Sequence, residues 1–429
     1  MMRTLLTAVL CVSFAVTAWA QEELNDDRVV EEREPGRQIM TEPTYKRLSA
    51  IHELMGTEGA EGVDNAEALK RAKALAETSR LNEYERALVL QTIGFLYAND
   101  NKLPEAIKYF EDSLALNALG SIEQQGMLYS LASLYASREQ FRDAIRTARE
   151  WFRYEPDPKA DAYILIGSSF AQLEDYRSAL PYVKKAIQKA DEKGKKPVES
   201  WHQLELAVYF ETDQKPKAIP LLRKMIQLWP DKDTYWETLS GVHMELRQDR
   251  DALSTMMVAY HKGLMDDADQ VLSLARLNMY LDIPYTAGVI LAQEIDSGLV
   301  PRTKENLETL KSAWVASQEF DRGLEVMAEL GRLTGDPTYS IDRAKIFNEK
   351  ADWANTIAAA QESLEQGYDK PGEAYLLIGS AYAELGELNN AIKALRGAES
   401  EGTPDERRNA RAWISFVQDR INSRVASAN

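Results

Sequence analysis

Thiols are almost missing from this chain, in which Cys11 is the only cysteine among 429 residues. An intrachain disulfide is therefore excluded, and so is a cysteine-held metal. Histidine is scarce too. His52, His202, His243 and His261 stand far apart, and His243-Met244-Glu245-Leu246 breaks the H-E-x-x-H pattern at its second position. These four read as packing or surface residues. No nucleophile elbow, Walker motif or dinucleotide fingerprint occurs. The Gly56, Gly59, Gly62 run is only superficially like a phosphate loop, because no strand precedes it and no Gly-Lys-Ser/Thr closes it, so it reads as a helix–helix connection. Carboxylates are so abundant that a pair at suitable spacing carries no meaning. The expectation is no enzyme, no metal site and no cofactor. Basic residues are in deficit, 51 against 68 acidic ones for a net charge of −17, which disfavours nucleic acid and anionic lipid and would attract a basic partner.

Long apolar runs are confined to the start. Met1 to Arg3 is a short basic opening, Leu5 to Val16 an apolar core, and Ala18-Trp19-Ala20 a small-x-small site before Gln21-Glu22-Glu23. This pattern predicts a secretory signal peptide over 1–20, cleaved after Ala20, with an apolar run too short to cross a bilayer. Leu10 before Cys11 departs from a lipoprotein signal. The remaining chain is expected to be exported, without thiols and without direct membrane insertion. Residues 21–41 carry Glu22, Glu23, Asp26, Asp27, Glu31, Glu32 and Glu34 with little to bury, and are expected to form a disordered acidic leader.

What the rest of the chain has in plenty is a spaced pair of small residues. Gly94 and Ala106, Ala132 and Ala144, Gly167 and Ala179, Ser240 and Ala252, Ala275 and Ala287, and Gly379 and Ala391 each stand twelve positions apart. An aromatic follows three after the first member in the clearest copies (Tyr97, Tyr135, Phe170, Tyr382), and a bulky residue four after the second (Phe110, Val183, Leu395). Small side chains let two helices cross closely, and the large ones fill the gaps. Recurrence at roughly 34 to 40 residues marks a helical solenoid. The fold expected is all-α, a right-handed superhelical solenoid of about ten helix pairs over 42–403, closed by a capping helix and tail over 404–429. In that last helix Arg407, Arg408, Arg411, Gln418, Asp419 and Arg420 form a polar side, and Trp413, Ile414 and Val417 the packing side. Two units are irregular. Leu206, Ala207 and Phe210 are expected to face Ala218, Leu222 and Met225 across a turn one residue shorter than the rest, while Ala344, Phe347 and Trp353 mark a worn copy.

The arrangement L-x-x-I-G-x-x-Y from Leu90 to Tyr97, with Ala106 and Phe110 behind it, resembles the tetratricopeptide repeat. Tyr45 to Met55, Leu90 to Ala98, Gln124 to Leu131 and Leu206 to Thr212 are similar to exported tetratricopeptide proteins encoded beside TonB energy-transduction systems. The resemblance implies a non-catalytic periplasmic scaffold for protein–protein interaction, an accessory to TonB-dependent uptake. Its partners would be the periplasmic segments of TonB-type or ExbB/ExbD-type proteins. A scaffold for polysaccharide export or cell-wall synthesis is the alternative.

In stacked pairs of this kind the first helices line the inner face, and residues one turn either side of the small position point into it. This selects Gln91 and Phe95, Tyr129 and Ser133, Ile164 and Ser168, then Leu204, Val208 and Glu211, and further on Glu237 and Met244. The lining is aromatic, aliphatic and acidic, unlike the Lys, Arg and Asn cluster with which some tetratricopeptide domains grip a C-terminal carboxylate. It suits an extended or polyproline segment, whose ordering entropy is already low.

Overall fold

The computed structural model describes Leu24, Val30 and residues 39–55, 63–196 and 198–428. The expected signal peptide, most of the acidic leader and the Gly56, Gly59, Gly62 run lie outside those residues. Among the described residues there are 21 helices and no strand, so the all-α class and the succession of pairs expected from the sequence are both present. Two compact units divide at residues 221 and 222.

In the first unit α1 (Glu42–Met55) pairs with α2 (Asn65–Ala76), and α3 (Glu83–Asn99) with α4 (Leu103–Ala115). Then α5 (Ser121–Ser137) pairs with α6 (Phe141–Tyr154), and α7 (Ala160–Gln172) with α8 (Tyr176–Glu192). After them come α9 (Glu199–Glu211) and α10 (Lys215–Leu228), the latter containing the division between the units. The second unit continues with α11 (Asp233–Glu245) and α12 (Asp249–His261), α13 (Ala268–Tyr280) and α14 (Pro284–Ser297), and α15 (Lys304–Ala316) and α16 (Phe320–Thr334). It ends with α17 (Thr338–Glu349) and α18 (Trp353–Glu365), α19 (Pro371–Glu384) and α20 (Leu388–Glu401), and the longer α21 (Pro404–Ala428) packed on α19 and α20.

The turns explain the constant spacing. Asn101, Glu139, Glu174, Asp213, Arg247, Asp282, Gln318, Ala351 and Gly386 all have positive φ, and each is the middle residue of a three-residue link between two helices. A left-handed residue there ends one helix and lets a reversed one begin. Counting seven back from each gives the crossing position of the first helix, and five forward that of the second. The second position holds Ala106, Ala144, Ala179, Ala218, Ala252, Ala287, Gly323, Thr356 and Ala391, all buried.

At the first crossing position the packing is tight. A Cβ on Gly94 would lie 2.5 Å from Phe110 Cδ1, one on Gly167 2.8 Å from Val183 Cγ2, and one on Gly379 2.6 Å from Leu395 Cγ. These are the bulky residues four positions beyond the second small residue, seated over the glycine as the sequence pattern implied.

The same count corrects the reading of α9. Position 206 is seven before Asp213 and twelve before Ala218, so Leu206, not Ala207, occupies the crossing, and the turn has the ordinary three residues. Ala207 is exposed and Phe210 half-buried, whereas Leu206, Val208 and Tyr209 are buried. A leucine stands where a small residue was sought, and the neighbouring alanine drew the register off by one.

The capping helix also differs from expectation in part. Val417 is buried, and Trp413 and Ile414 half-buried, as the packing side requires. Arg420, however, donates from Nη1 to the Ala383 carbonyl in the last turn of α19 at 3.2 Å, and Arg407 from Nε to the Gly402 carbonyl at 2.8 Å. The Ala383 carbonyl already accepts from the Gly386 N–H at 3.2 Å, so Arg420 adds a second donor there and ties α21 to the end of α19. The polar side of α21 is thus partly an anchoring side.

Candidate partner-binding face

The first helices of successive pairs lie beside one another, α1 with α3 and α5 with α7 and α9 in the first unit, α17 with α19 and then α21 in the second. Hollows open between helices within each unit. One of about 390 Å³ lies among α1, α3 and α5. Leu48, Leu88 and Phe95 supply its apolar surface, and Tyr45, His52, Tyr84, Gln91 and Glu123 its polar edges. His52 Nε2 lies 3.2 Å from Thr92 Oγ1, linking α1 to α3, and Gln91 Nε2 donates to the Glu123 carbonyl at 3.4 Å, linking α3 to α5. Burial pushes the Tyr84 hydroxyl pKa up, and the Glu123 carboxylate adds to the rise. Phe95 is half-buried, with the edge of its ring against Phe110 at 5.0 Å between centroids.

Further along, Tyr129 rests on Trp151 at 5.2 Å, Trp151 on Phe152 at 5.2 Å, and Phe152 on Tyr163 at 4.9 Å. This run of rings carries the core from the α5–α6 pair into α7. Tyr129 remains half-buried, and burial followed by the charge of Asp161 raises its pKa. Ile164 packs at the edge of the same cluster. Ser133 and Ser168 are half-buried and turn their hydroxyls back on their own helix, to the Tyr129 carbonyl at 3.0 Å and the Leu165 carbonyl at 3.1 Å.

Of the α9 candidates only two retain any access. Val208 is 0% exposed and belongs to the core cluster with Tyr163 and Ile166, so its assignment to the groove is withdrawn. Leu204 is half-buried and Glu211 exposed. With the corrected register the same count selects Gln203, Ala207 and Phe210 on this helix, the first two exposed and the third half-buried.

A second hollow, of about 290 Å³, is formed by α11, α12, the link after it and α13, and it contains Glu237 and Met244. It also contains Trp236. A third, of about 480 Å³, lies among α17, α19 and α21. There Lys345 Nζ sits 2.9 Å from Glu373 Oε1. Burial alone would raise the Glu373 pKa, but bonds from Lys345 and Tyr368 outweigh it and hold the carboxyl below its ordinary value. Of the sequence candidates, Gln91 and Phe95 line the hollow in the first unit and Glu237 and Met244 the one among α11, α12 and α13, while Tyr129, Ser133, Ile164, Ser168, Leu204 and Glu211 keep partial or full exposure on their helices.

Sequence reasoning missed Tyr45, His52 and Tyr84 in the first hollow. It also missed Leu24, which was assigned to the disordered leader: this residue is half-buried and packs on the same cluster as Tyr129 and Ile164. Nothing local in the sequence signals that contact.

No described helix is long and apolar enough to cross a membrane, and no group of three or more His, Cys, Asp or Glu among the described residues is arranged to hold a metal ion. The histidines differ in their surroundings: His202 and His243 are buried, the latter with Nδ1 2.7 Å from Gln248 Oε1, and His261 is exposed.

The tetratricopeptide repeat family profile matches residues 160–188, the α7–α8 pair, and 372–400, the α19–α20 pair. A search of curated proteins finds no match. Among solved structures, MamA from Desulfovibrio magneticus RS-1 is 18% identical with a TM-score of 0.36, covering 46% of this chain and 99% of its own. YrrB, described as a TPR protein with an unusual peptide-binding site, is 15% identical with a TM-score of 0.36, covering 47% and 95%. A tetratricopeptide repeat protein from Parabacteroides merdae is 13% identical with a TM-score of 0.29, covering 60% and 98%. Residues 160–188 and 372–400 thus match the tetratricopeptide repeat, and they lie in an all-helical fold of successive helix pairs.

Proposed function

We propose that this protein is a non-catalytic periplasmic scaffold whose inner face receives a basic, extended segment of a protein partner, and that it serves as an accessory of a TonB energy-transduction system. The carrying observation is that Phe95 and Tyr129 remain half-buried on the first helices while each is backed by a second ring, Phe110 and Trp151. Aromatic side chains held this way offer apolar area at low entropic cost, the property of residues that dominate peptide grooves. Excess negative charge suits a partner linker rich in lysine and proline, with electrostatics acting mainly on the association rate. Leu24 supports the reading further, since an apolar side chain remote in sequence already finds a seat on the cluster that carries Tyr129 and Ile164. The TonB and periplasmic parts rest on the resemblance of residues 45–55, 90–98, 124–131 and 206–212 and on the signal-like start.

The test is a titration of the chain lacking residues 1–20 with a proline-rich, lysine-bearing linker peptide at low and high salt. The pair Phe95→Ala and Tyr129→Ala should abolish binding with helicity retained, and Glu211→Lys or Glu237→Lys should slow association. Unchanged affinity in the double aromatic variant would remove this face from consideration.

A further inference from the structure

The hollow among α11, α12 and α13 has a chemistry of its own. Its apolar surface runs from the buried Met256 to the exposed Met244 and is completed by Trp236 and Met265. Three carboxylates, Asp233, Glu237 and Asp269, share the lining, and no lysine or arginine does. Asp233 and Asp269 sit in the first turns of α11 and α13, where a carboxylate favours the helix by itself. Glu237 has no such reason: it lies in the middle of α11, and its bond across the hollow comes from the neutral amide of Gln270 on α13. Thioether side chains are unbranched and polarizable, so they reshape around an inserted group without a fixed outline.

We infer that this hollow is an anchor site for one large apolar side chain, of the size of phenylalanine or leucine, presented by a protein segment with lysine or arginine on either side. The apolar side chain enters among Met244, Met256, Met265 and Trp236, and the flanking cations meet Glu237 and the two aspartates. A cation without the apolar anchor gains little at an open surface, where ion pairs are screened. An apolar anchor flanked by acids is repelled by the rim. The site therefore selects for both features together. This inference rests on the reading of the chain as a peptide-binding scaffold, and the readout separates the two.

The experiment uses the full chain lacking only residues 1–20, with the methionine methyl groups labelled with carbon-13 and assigned through Met40→Leu, Met244→Leu, Met256→Leu and Met265→Leu. The probe is a short glycine–serine peptide with a central phenylalanine and a lysine on each side, titrated at low salt. The Met244 and Met265 signals should shift and saturate. Replacing the probe's phenylalanine by alanine, or its lysines by glutamate, should remove the shift. Glu237→Lys with Asp269→Lys should weaken the binding at least tenfold while leaving the methionine spectrum of the free protein folded. Shifts confined to Met40, which lines the hollow among α1, α3 and α5, would overturn the anchor site and leave the general scaffold reading standing. No shift at Met244 and Met265, or an equal response to the glutamate-flanked probe, would overturn it as well.

Discussion

Replacing Gly94 with alanine tests the helix crossing with a single methyl group. The new Cβ would stand 2.5 Å from Cδ1 and 2.6 Å from Cε1 of Phe110. Carbon atoms settle at about 3.5 to 4.0 Å, so the overlap is about 1 Å on two ring atoms at once. Phe110 is 0% exposed and also touches Phe95 edge-on, which leaves its ring nowhere to swing. Helices α3 and α4 must therefore separate, at a cost of about 1 to 3 kcal/mol for overpacking. Against this stands the roughly 1 kcal/mol that alanine gains over glycine inside a helix. Gly126, in the interior of α5, supplies the reference, because nothing lies within 4 Å of a Cβ built there. Gly126→Ala should stabilise by about the full propensity gain of roughly 1 kcal/mol. The difference between the two substitutions isolates the crossing and should be about 1 to 3 kcal/mol. Urea unfolding followed by helical circular dichroism measures both. Phe110→Leu in the Gly94→Ala background should recover part of the loss, since the pair is in contact. If Gly94→Ala were as stable as Gly126→Ala, the close approach of α3 and α4 would be refuted, and with it the register of the repeat.

Three further outcomes are expected. Ala351 and Glu174 hold φ of 56° and 60°, so Ala351→Gly and Glu174→Gly should each raise stability by about 1 kcal/mol in the same unfolding assay, and Gly386→Ala, at φ 79°, should lower it by a similar amount. Ala144 is fully buried at its crossing, so Ala144→Leu should cost about 1 to 3 kcal/mol more than Ala144→Ser, and equal melting midpoints would contradict the crossing. Glu85 is raised by burial, but bonds from Thr41 and Asn82, including Thr41 N at 2.8 Å and Thr41 Oγ1 at 2.6 Å, outweigh this and hold its pKa below 4.5. A depressed carboxyl stabilises the fold above its unfolded value and loses that contribution as pH falls through the folded one. Below about pH 4.5 the wild type should thus lose stability that Glu85→Gln lacks already, and a parallel decline of the two in an acid titration of unfolding would refute the assignment.

Much of the architecture was legible because its determinants are local. A helix, a three-residue link with one left-handed residue and a returning helix form a rigid count, so the twelve-residue spacing of Gly94 and Ala106 or Gly379 and Ala391 reports the crossing directly, and the bulky residue four places on reports what fills it. The same logic located a buried crossing wherever the small residue was present, as at Gly94, Ala132, Gly167 and Ser240. It failed in α9, where Leu206 holds the crossing and Ala207 beside it is exposed, because burial there is set by the neighbouring pair rather than by the helix's own sequence.

By itself, then, the sequence determined the helical class, the pairing and the place of most crossings, since those follow from helix periodicity and the close packing of small residues. Only the tertiary structure decided that Val208 is core and that Arg420 ties α21 to α19. It alone seated Leu24 on a distant cluster and made Trp236, Met244, Met256 and Met265 share one acid-rimmed hollow. Each of these depends on which helix stands next to which, and contacts between elements far apart in the chain leave no period in the sequence.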